Sequence, residues 1–542
     1  MTSVQRTDIT ALPDLRAGTG RVGPVRDRMP IYVDLLPPCN NACPAGENIQ
    51  EWLRLIKENH PDQAWAQLVR DNPMPAIHGR VCYHPCENVC NRKDLDSAVS
   101  IHSVERYLGD LAIEKGWQFP KPRTRSGRRV LVIGAGPSGL SAAYHLARLG
   151  HDVEIHDASQ QAGGMMRYGI PEYRLPRDIV DAEIERIENL GVKIVLNHTV
   201  TDLMTEKAEG NFDAVFVAIG AHLSKRVDIP SQDASKMVNA VDFLRDVASG
   251  EKPQIGRRVA VYGGGNTAMD AARTARRMGA EEAIIIYRRT QDQMPAHLEE
   301  LQEAEREGVK VHWLRTINAV EDDVMVEIME LGENGSPKPT GKFEKLPADT
   351  VIMAVGQEAD SQFLKTVEGM QFDGDVVQVN PQTLMTDVPG IFAGGDAVPS
   401  DRTVTIGVGH GKKAAKMIDA WLNRETPESR VKHPVVEFDD LHLWYFGDHP
   451  RSIHPELSAK ERAGFGEIVQ GLNPEQAEFE ARRCLSCGNC FECDGCLGAC
   501  PEDAVIKLGK GHRYRFDYAK CTGCATCYDQ CPVHAIEMVP ED

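Results

Sequence analysis

The sequence predicts a multidomain α/β architecture: an N-terminal all-helical domain, two Rossmann-like nucleotide-binding domains and a small C-terminal α+β domain. Three observations carry the prediction. A strand, a glycine loop and a helix follow one another twice, at 128–157 and at 258–289. The 15 cysteines lie only towards the two ends, with none between 91 and 483. A chain of 542 residues is also too long for one ordinary core.

Charge and composition narrow the class. Lys+Arg 61 against Asp+Glu 80 leaves −19, which argues against nucleic acid or an anionic membrane as partner. It favours a protein partner with a basic docking face. Residues 1–30 hold no apolar signal core, and no run approaches the ~18 uninterrupted apolar residues of a membrane span, so a soluble, cytoplasmic protein is expected. Without an export signal, clustered cysteines point to metal or iron–sulfur ligation rather than disulfides.

Taken in order, residues 1–30 are a polar, patternless arm. Residues 31–120 form the helical domain. GENIQEWLRLIKENHPDQAWAQLVRD and AVSIHSVERYLGDLAIEKG carry helical periodicity, with GRVCYHPCENVC between them. So short a domain gains folding energy from its metal. KPRTRSG, 121–127, is a basic linker. Residues 128–241 and 242–360 contain the two nucleotide signatures. Residues 361–425 carry DVPGIFAGGDAV and a helix-like GVGHGKKAAKMIDAWL. Residues 426–483 connect with little pattern, and 484–542 form the cysteine-dense end.

In the first signature, strand Val130–Ile133 enters Gly134-x-Gly136-x-x-Gly139, and the strand after the helix ends at Asp157. The glycines allow a tight turn and close approach of a pyrophosphate to the helix N-terminus, and the acid is placed for a ribose hydroxyl. In the second, Gly263-x-Gly265-x-x-Ala268 is followed by a strand ending in Arg288-Arg289, with no carboxylate. Arginines there pair with a 2′-phosphate, which favours NADPH over NADH; the alternative is that they are solvated or face a partner. In FAGGD, paired glycines let backbone and the Asp396 carboxylate approach a ligand chain bearing hydroxyls; alone, the segment is also compatible with a turn and a solvated aspartate.

The C-terminal cysteines are the most specific pattern. Cys490, Cys493, Cys496 and Cys500-Pro501 repeat as Cys521, Cys524, Cys527 and Cys531-Pro532, each a C-x2-C-x2-C-x3-C-P run whose fourth cysteine serves the other cluster. Two [4Fe–4S] clusters in a ferredoxin-like domain are expected: Cys490, Cys493, Cys496 with Cys531, and Cys521, Cys524, Cys527 with Cys500. Seven cysteines remain: Cys39, Cys43, Cys82, Cys86, Cys90, Cys484 and Cys487. With one oxygen or nitrogen ligand they suffice for two more cubanes.

The run GRVC..PCE..C, the first glycine signature, GG.M.YGIP.YRLP, GGGNTAMD with YRR, and FAGGD together resemble the small (beta) subunit of bacterial NADPH-dependent glutamate synthase and its relatives. These include electron-bifurcating ferredoxin:NADP oxidoreductase and the N-terminal part of dihydropyrimidine dehydrogenase. The resemblance spans roughly 35–425. It implies FAD in the first nucleotide domain, with 361–425 as that domain's second part, and NAD(P)H in a domain inserted into it. It also implies two [4Fe–4S] clusters in the helical domain. Pro137, Gly164, Arg174, Leu175, Gly220, Asn266, Thr267, Gly356 and Gly395 complete the candidate cofactor-binding set. The family's cluster run C-x2-C-x4-C-x3-C is matched only by Cys39 and Cys43, and YVDLLPP replaces its first pair. Cys82, Cys86 and Cys90 match the later trio, and Glu105 matches the family's non-cysteine ligand. By that pattern Cys43, Cys82, Cys86 and Glu105 complete one site. Cys39 and Cys90 complete another only if Cys484 and Cys487 supply the missing pair, giving four clusters; otherwise these four are reduced thiols and local packing.

The C-terminal module resembles the two-cluster ferredoxin module of some larger oxidoreductase complexes. The expected function is therefore an electron-transfer subunit. NAD(P)H delivers hydride to FAD, and single electrons pass through clusters to a catalytic partner subunit or ferredoxin, or the reverse. No catalytic acid or base is required. The alternatives are a glutamate synthase small subunit, the NAD(P)H-linked subunit of a 2-oxoacid, aldehyde or ferric oxidoreductase complex, and a non-enzymatic scaffold.

Overall fold

The computed structural model describes residues 26–541 apart from 226, 232, 233, 427–431 and 459; most of the expected N-terminal arm lies outside the described residues. The described part of that arm is ordered against the far end of the chain. β1 (Arg28–Tyr32) pairs antiparallel with the last strand, Arg28 opposite Pro540 and Tyr32 opposite Ile536.

Six helices follow: α1 (Pro38–Ala42), α2 (Ile49–Lys57), α3 (Pro61–Leu68), α4 (Pro75–Val81), α5 (Pro85–Asn88) and α6 (Ile101–Glu114). Proline opens α1, α3, α4 and α5, where its missing N–H has no intrahelical partner to lose. Pro61 thus divides the periodic stretch 47–71 into two helices, which close over Trp52, Leu53, Trp65 and Leu68. Helices α4 and α6 cross through glycines. A Cβ on Gly79 would lie 2.4 Å from Arg106 Cβ, and one on Gly109 2.2 Å from the Ala76 nitrogen. Gly109→Val must therefore push the helices apart; a loss of at least ~1–3 kcal/mol is expected, read as a lower denaturant midpoint, with Gly109→Ala intermediate.

The first nucleotide domain is a five-stranded parallel sheet. It contains β2 (Arg129–Ile133), α7 (Pro137–Arg148), β3 (Asp152–His156), α8 (Met165–Tyr168), α9 (Arg177–Glu188), β4 (Lys193–Val195), α10 (Leu203–Glu209) and β5 (Ala214–Val217). Val130 and Val132 face the helices α7 and α9 and the helical domain, whereas Leu131 and Ile133 face a second core. That alternation buries both faces of the sheet. The chain leaves through β6 (Leu223–Ser224) into the second domain. There β7 (Met237–Asn239), α11 (Ala240–Ala248), β8 (Arg258–Tyr262), α12 (Asn266–Arg277), β9 (Glu282–Tyr287), α13 (Leu298–Arg306) and β10 (Lys310–Trp313) lead to a meander, β11 (Arg315–Val320), β12 (Val324–Leu331) and β13 (Pro337–Leu346). β14 (Thr350–Met353) closes a sheet of order β10-β9-β8-β14-β7, parallel throughout. Its edge strand β7 begins just ahead of the boundary expected at 242.

β15 (Gln357–Glu358) returns antiparallel to β6, so two short strands connect the domains. After a small hairpin, β16 (Phe372–Asp373) and β17 (Val376–Val377), β18 (Ile391–Ala393) joins β5, giving the order β18-β5-β2-β3-β4. The second nucleotide domain is thus inserted in the first. α14 (Val404–Asn423) then packs on α7, where a Cβ on Gly411 would meet the Ser138 carbonyl at 2.3 Å. A Cβ on Gly409 would meet the Pro44 carbonyl at 2.1 Å, so this helix touches the flavoprotein-like core and the helical domain together.

The connecting segment is an anchored strap. It ends in α15 (Pro474–Arg483), begun by a capping box between Asn473 and Gln476. Arg483, 2% exposed, donates to the carbonyls of Ala98, Ser97 and His449 and pairs with Asp96 and Glu480. The end of the chain holds α16 (Gly495–Ala499), β19 (Val505–Lys507), β20 (Tyr514–Phe516), α17 (Thr526–Asp529) and β21 (Ile536–Pro540), a small α+β unit.

Candidate active site and iron–sulfur centres

The carboxyl ends of both parallel sheets open into one continuous cleft of about 1620 Å³. Gly134, Gly136, Pro137, Asp157, Gly164, Gly220, Gly395 and Asp396 line it from the first domain. Gly263, Gly265, Asn266, Thr267, Arg288, Arg289 and Gly356 line it from the second. Gly139, Leu175 and Ala268 do not line it. Gly139 serves packing instead: a Cβ there would sit 1.9 Å from the Gly134 carbonyl. Gly134, at φ +106°, passes so near β5 that a Cβ would meet the Ala218 carbonyl at 2.3 Å.

Helices α7 and α12 begin at Gly136 and Gly265 with no side-chain cap, so their first N–H groups face the cleft. A Cβ on Gly265 would meet nothing within 4 Å, and one on Gly136 only the Gly164 Cα at 4.0 Å: both would fill the space an incoming phosphate needs. Asp157 accepts from the Ala135 N–H at 2.6 Å and the Ser159 N–H at 2.7 Å. It braces the glycine turn and keeps free lone pairs for a hydroxyl. Asp396 follows Gly395, held at φ +68° beneath Ser138, and burial raises its carboxyl to about 6 against the lowering effect of Arg402.

Across the cleft Arg288 is exposed and Arg289 half-buried, and neither makes an ion pair among the described residues; the Arg289 Nε is buried without a hydrogen bond. Arg174 reaches the cleft but is committed elsewhere. Its Nη1 lies 2.9 and 2.8 Å from the two Asp270 oxygens, and Nη2 pairs with Glu300, clamping the first domain to α12 and α13 of the second. Beside it Tyr83 stacks on His297 at 3.6 Å. Sequence reasoning missed this clamp, because its partners stand far apart along the chain.

The thiols fall into four groups. Burial pushes the Cys39 thiol well up, and the ionisable groups that raise it further are Cys90, Cys484 and Cys487. The Cys484–Cys487 turn reaches the helical domain because Gln50 Nε2 donates to the Cys487 carbonyl at 2.9 Å and the Leu35 N–H to that of Gly488 at 3.3 Å. Cys43 is raised by burial, then Glu47, Glu105 and Cys82. Cys82 is pushed to about 12 by burial and Glu105, with the Thr405 hydroxyl of α14 bonding to it in opposition. Cys86 faces Cys82, Cys43 and also Cys39, so these two groups adjoin. Val81 and Tyr83, on either side of Cys82, line the nucleotide cleft.

In the C-terminal unit, burial raises Cys496 to about 11 beside Cys490, Cys493 and Cys531, and the Tyr32 hydroxyl stands 3.6 Å from its sulfur. Cys500, Cys521, Cys524 and Cys527 line a separate small cavity. Among the 15 free cysteines only Cys524 is exposed. Burial outweighs the lowering pull of Lys57 and Arg92 on Cys484 and of Arg483 on Cys90, and sets of thiols in such surroundings are chemically suited to iron, which supplies the positive charge itself.

The model of pyridine nucleotide-disulphide oxidoreductases matches residues 128–416, more than half of the chain. The chain belongs to this family. On either side of its oxidoreductase core, a 4Fe–4S domain described as domain II of dihydropyrimidine dehydrogenase matches 35–117, and a 4Fe–4S binding domain matches 514–537. The enzyme is an FAD- and iron–sulfur-dependent NAD(P)H oxidoreductase. It is 37% identical to the NADP(+)-dependent formate dehydrogenase subunit beta of Moorella thermoacetica, over 83% of this chain and 70% of that protein. It is 34% identical to the NADPH-Fe(3+) oxidoreductase subunit beta of Geobacter sulfurreducens, over 83% and 75%. It is 31% identical to the glutamate synthase [NADPH] small chain of Escherichia coli, over 71% and 89%. No helix among the described residues is long and apolar enough to cross a membrane.

Proposed function

We propose that this chain is the NAD(P)H-linked, electron-transferring subunit of a larger complex, carrying FAD and four [4Fe–4S] clusters and serving a separate catalytic subunit or a ferredoxin. The observation that carries the reading is Cys82: a thiol of the helical domain flanked by two residues of the nucleotide cleft. When bound, FAD supplies the exchange between two-electron hydride chemistry and one-electron transfer. The chain's own residues do the rest. The uncapped starts of α7 and α12 bind phosphates, Arg288 and Arg289 select the nucleotide, and Arg174 holds the two domains so that both rings enter one cleft. The thiol groups then lead away in order: Cys43, Cys82, Cys86 with Glu105; Cys39, Cys90, Cys484, Cys487; and the two C-terminal groups. The relatives named as beta subunits support a partner-dependent enzyme, and the ferredoxin-like module favours this over a glutamate synthase small subunit.

Removal of everything after Gly488 tests the exit route and leaves Cys484 and Cys487 in place. NADPH added anaerobically should still bleach the flavin and support reduction of a small artificial acceptor, while transfer to the co-purifying partner is lost. A folded truncated protein that reduced the partner at the full rate would overturn the route.

A further inference from the structure

The carboxylate side of the Cys43–Cys82–Cys86 group carries more donors than one iron position needs. Glu47 and Glu105 are 4% and 6% exposed, and Asn72 is fully buried between them. The Asn72 Nδ2 donates to Glu47 Oε1 at 3.0 Å and to Glu105 Oε1 at 2.7 Å. Its Oδ1 accepts from the Met74 N–H at 3.0 Å, which fixes the amide's direction. The shared amide thus holds the two carboxyls side by side. His78 closes the wall, its Nδ1 3.8 Å from Glu105 Oε1 and its Nε2 buried without a partner. One donor atom from each of Glu47, His78 and Glu105 lies within 4.8 Å of the others.

Facing buried carboxyls are costly unless something is gained from them. The nearer one differs between the two thiols: Cys43 has Glu47 as its first charged neighbour and Cys82 has Glu105. The turn closed by the Gly46 N–H on the Cys43 carbonyl, at 2.9 Å, folds Glu47 back over Cys43.

We propose that Glu47 is a second carboxylate donor for the iron position assigned to Glu105, the two being held interchangeable by Asn72. In the exchange one carboxylate oxygen would leave iron as the other binds, and no electron moves. The inference rests on the four-cluster reading, since only a cluster at Cys43, Cys82 and Cys86 gives these carboxylates an iron to face.

Iron, acid-labile sulfide and the low-temperature EPR spectrum of the dithionite-reduced protein are to be compared for wild type, Glu47→Ala, Glu105→Ala and the double variant, full length and prepared anaerobically. Each single variant should keep the wild-type iron and sulfide, with Glu105→Ala changing one cluster signal. The double variant should lose one cluster's worth of both. Loss of that cluster in Glu105→Ala alone would overturn the proposal, as would a double variant with unchanged iron and spectrum. Glu47→Leu and Glu105→Leu, which keep much of the volume and offer iron no donor, repeat the comparison where an alanine variant fails to fold. A wild type already one cluster short, with this signal missing, would instead count against the four-cluster reading, and the proposal would fall with it.

Discussion

The double replacement Cys484→Ser/Cys487→Ser should remove one cluster and free the C-terminal module from the helical domain. Cys39 and Cys90 belong to the helical domain and Cys484 and Cys487 follow directly on the strap, yet Cys39 has the other three as its ionisable neighbours. A pair of thiols left on either side cannot hold a cubane. Iron and acid-labile sulfide should each fall by about four per chain, the content of one such cluster. A structural metal site contributes folding free energy directly, so proteolysis between 484 and 541 should also become faster. The strap's other anchors, Arg483 and Gln50, hold the helix and its following turn but do not replace a covalent bridge through iron. Full iron content with unchanged protection would show that these four thiols hold nothing in common.

Neutralising both Arg288 and Arg289 should weaken NADPH ten- to hundredfold and leave NADH nearly untouched. Both line the cleft, neither has an acidic partner among the described residues, and the buried Arg289 Nε is unsatisfied. An unpaired buried donor on an arginine that lines the cleft is what a bound 2′-phosphate would relieve. Loss of such charge-assisted bonds is worth ~1.5–3 kcal/mol. Titration of flavin bleaching with each nucleotide reads the ratio directly. Equal losses for the two nucleotides, or a wild-type preference for NADH, would contradict this reading of the pair.

The parts of the molecule written in short, local patterns were legible before the fold was known. Gly134, Gly136, Gly263 and Gly265 sit where strand, loop and helix meet, in a short run of sequence. The cysteine clusters at the two ends are likewise short local patterns. Long-range polar contacts were not legible. Arg174 resembles a ligand-binding arginine in its motif, and only the meeting of α12 and α13 beneath it reveals Asp270 and Glu300 as its partners. Asn72 and Glu47 carry no pattern at all, since their role comes from facing Glu105 across the helical domain. The strap 434–483 has no apolar period because backbone hydrogen bonds and buried arginines fasten it. The meander β11–β13 was also missed: its strands cover one face of a sheet whose helices cover the other, and an inserted layer of that kind leaves no glycine fingerprint.

The central claim is that electrons from NAD(P)H enter at the flavin and leave through a connected series of clusters. The most direct test is anaerobic mixing of full-length protein with NADPH, with flavin absorbance and freeze-quenched EPR followed on the same sample. The account predicts flavin bleaching accompanied by the signals of reduced [4Fe–4S] clusters, in wild type and after removal of the residues beyond Gly488. Flavin reduction with every cluster left oxidised in a protein of full iron content would contradict it.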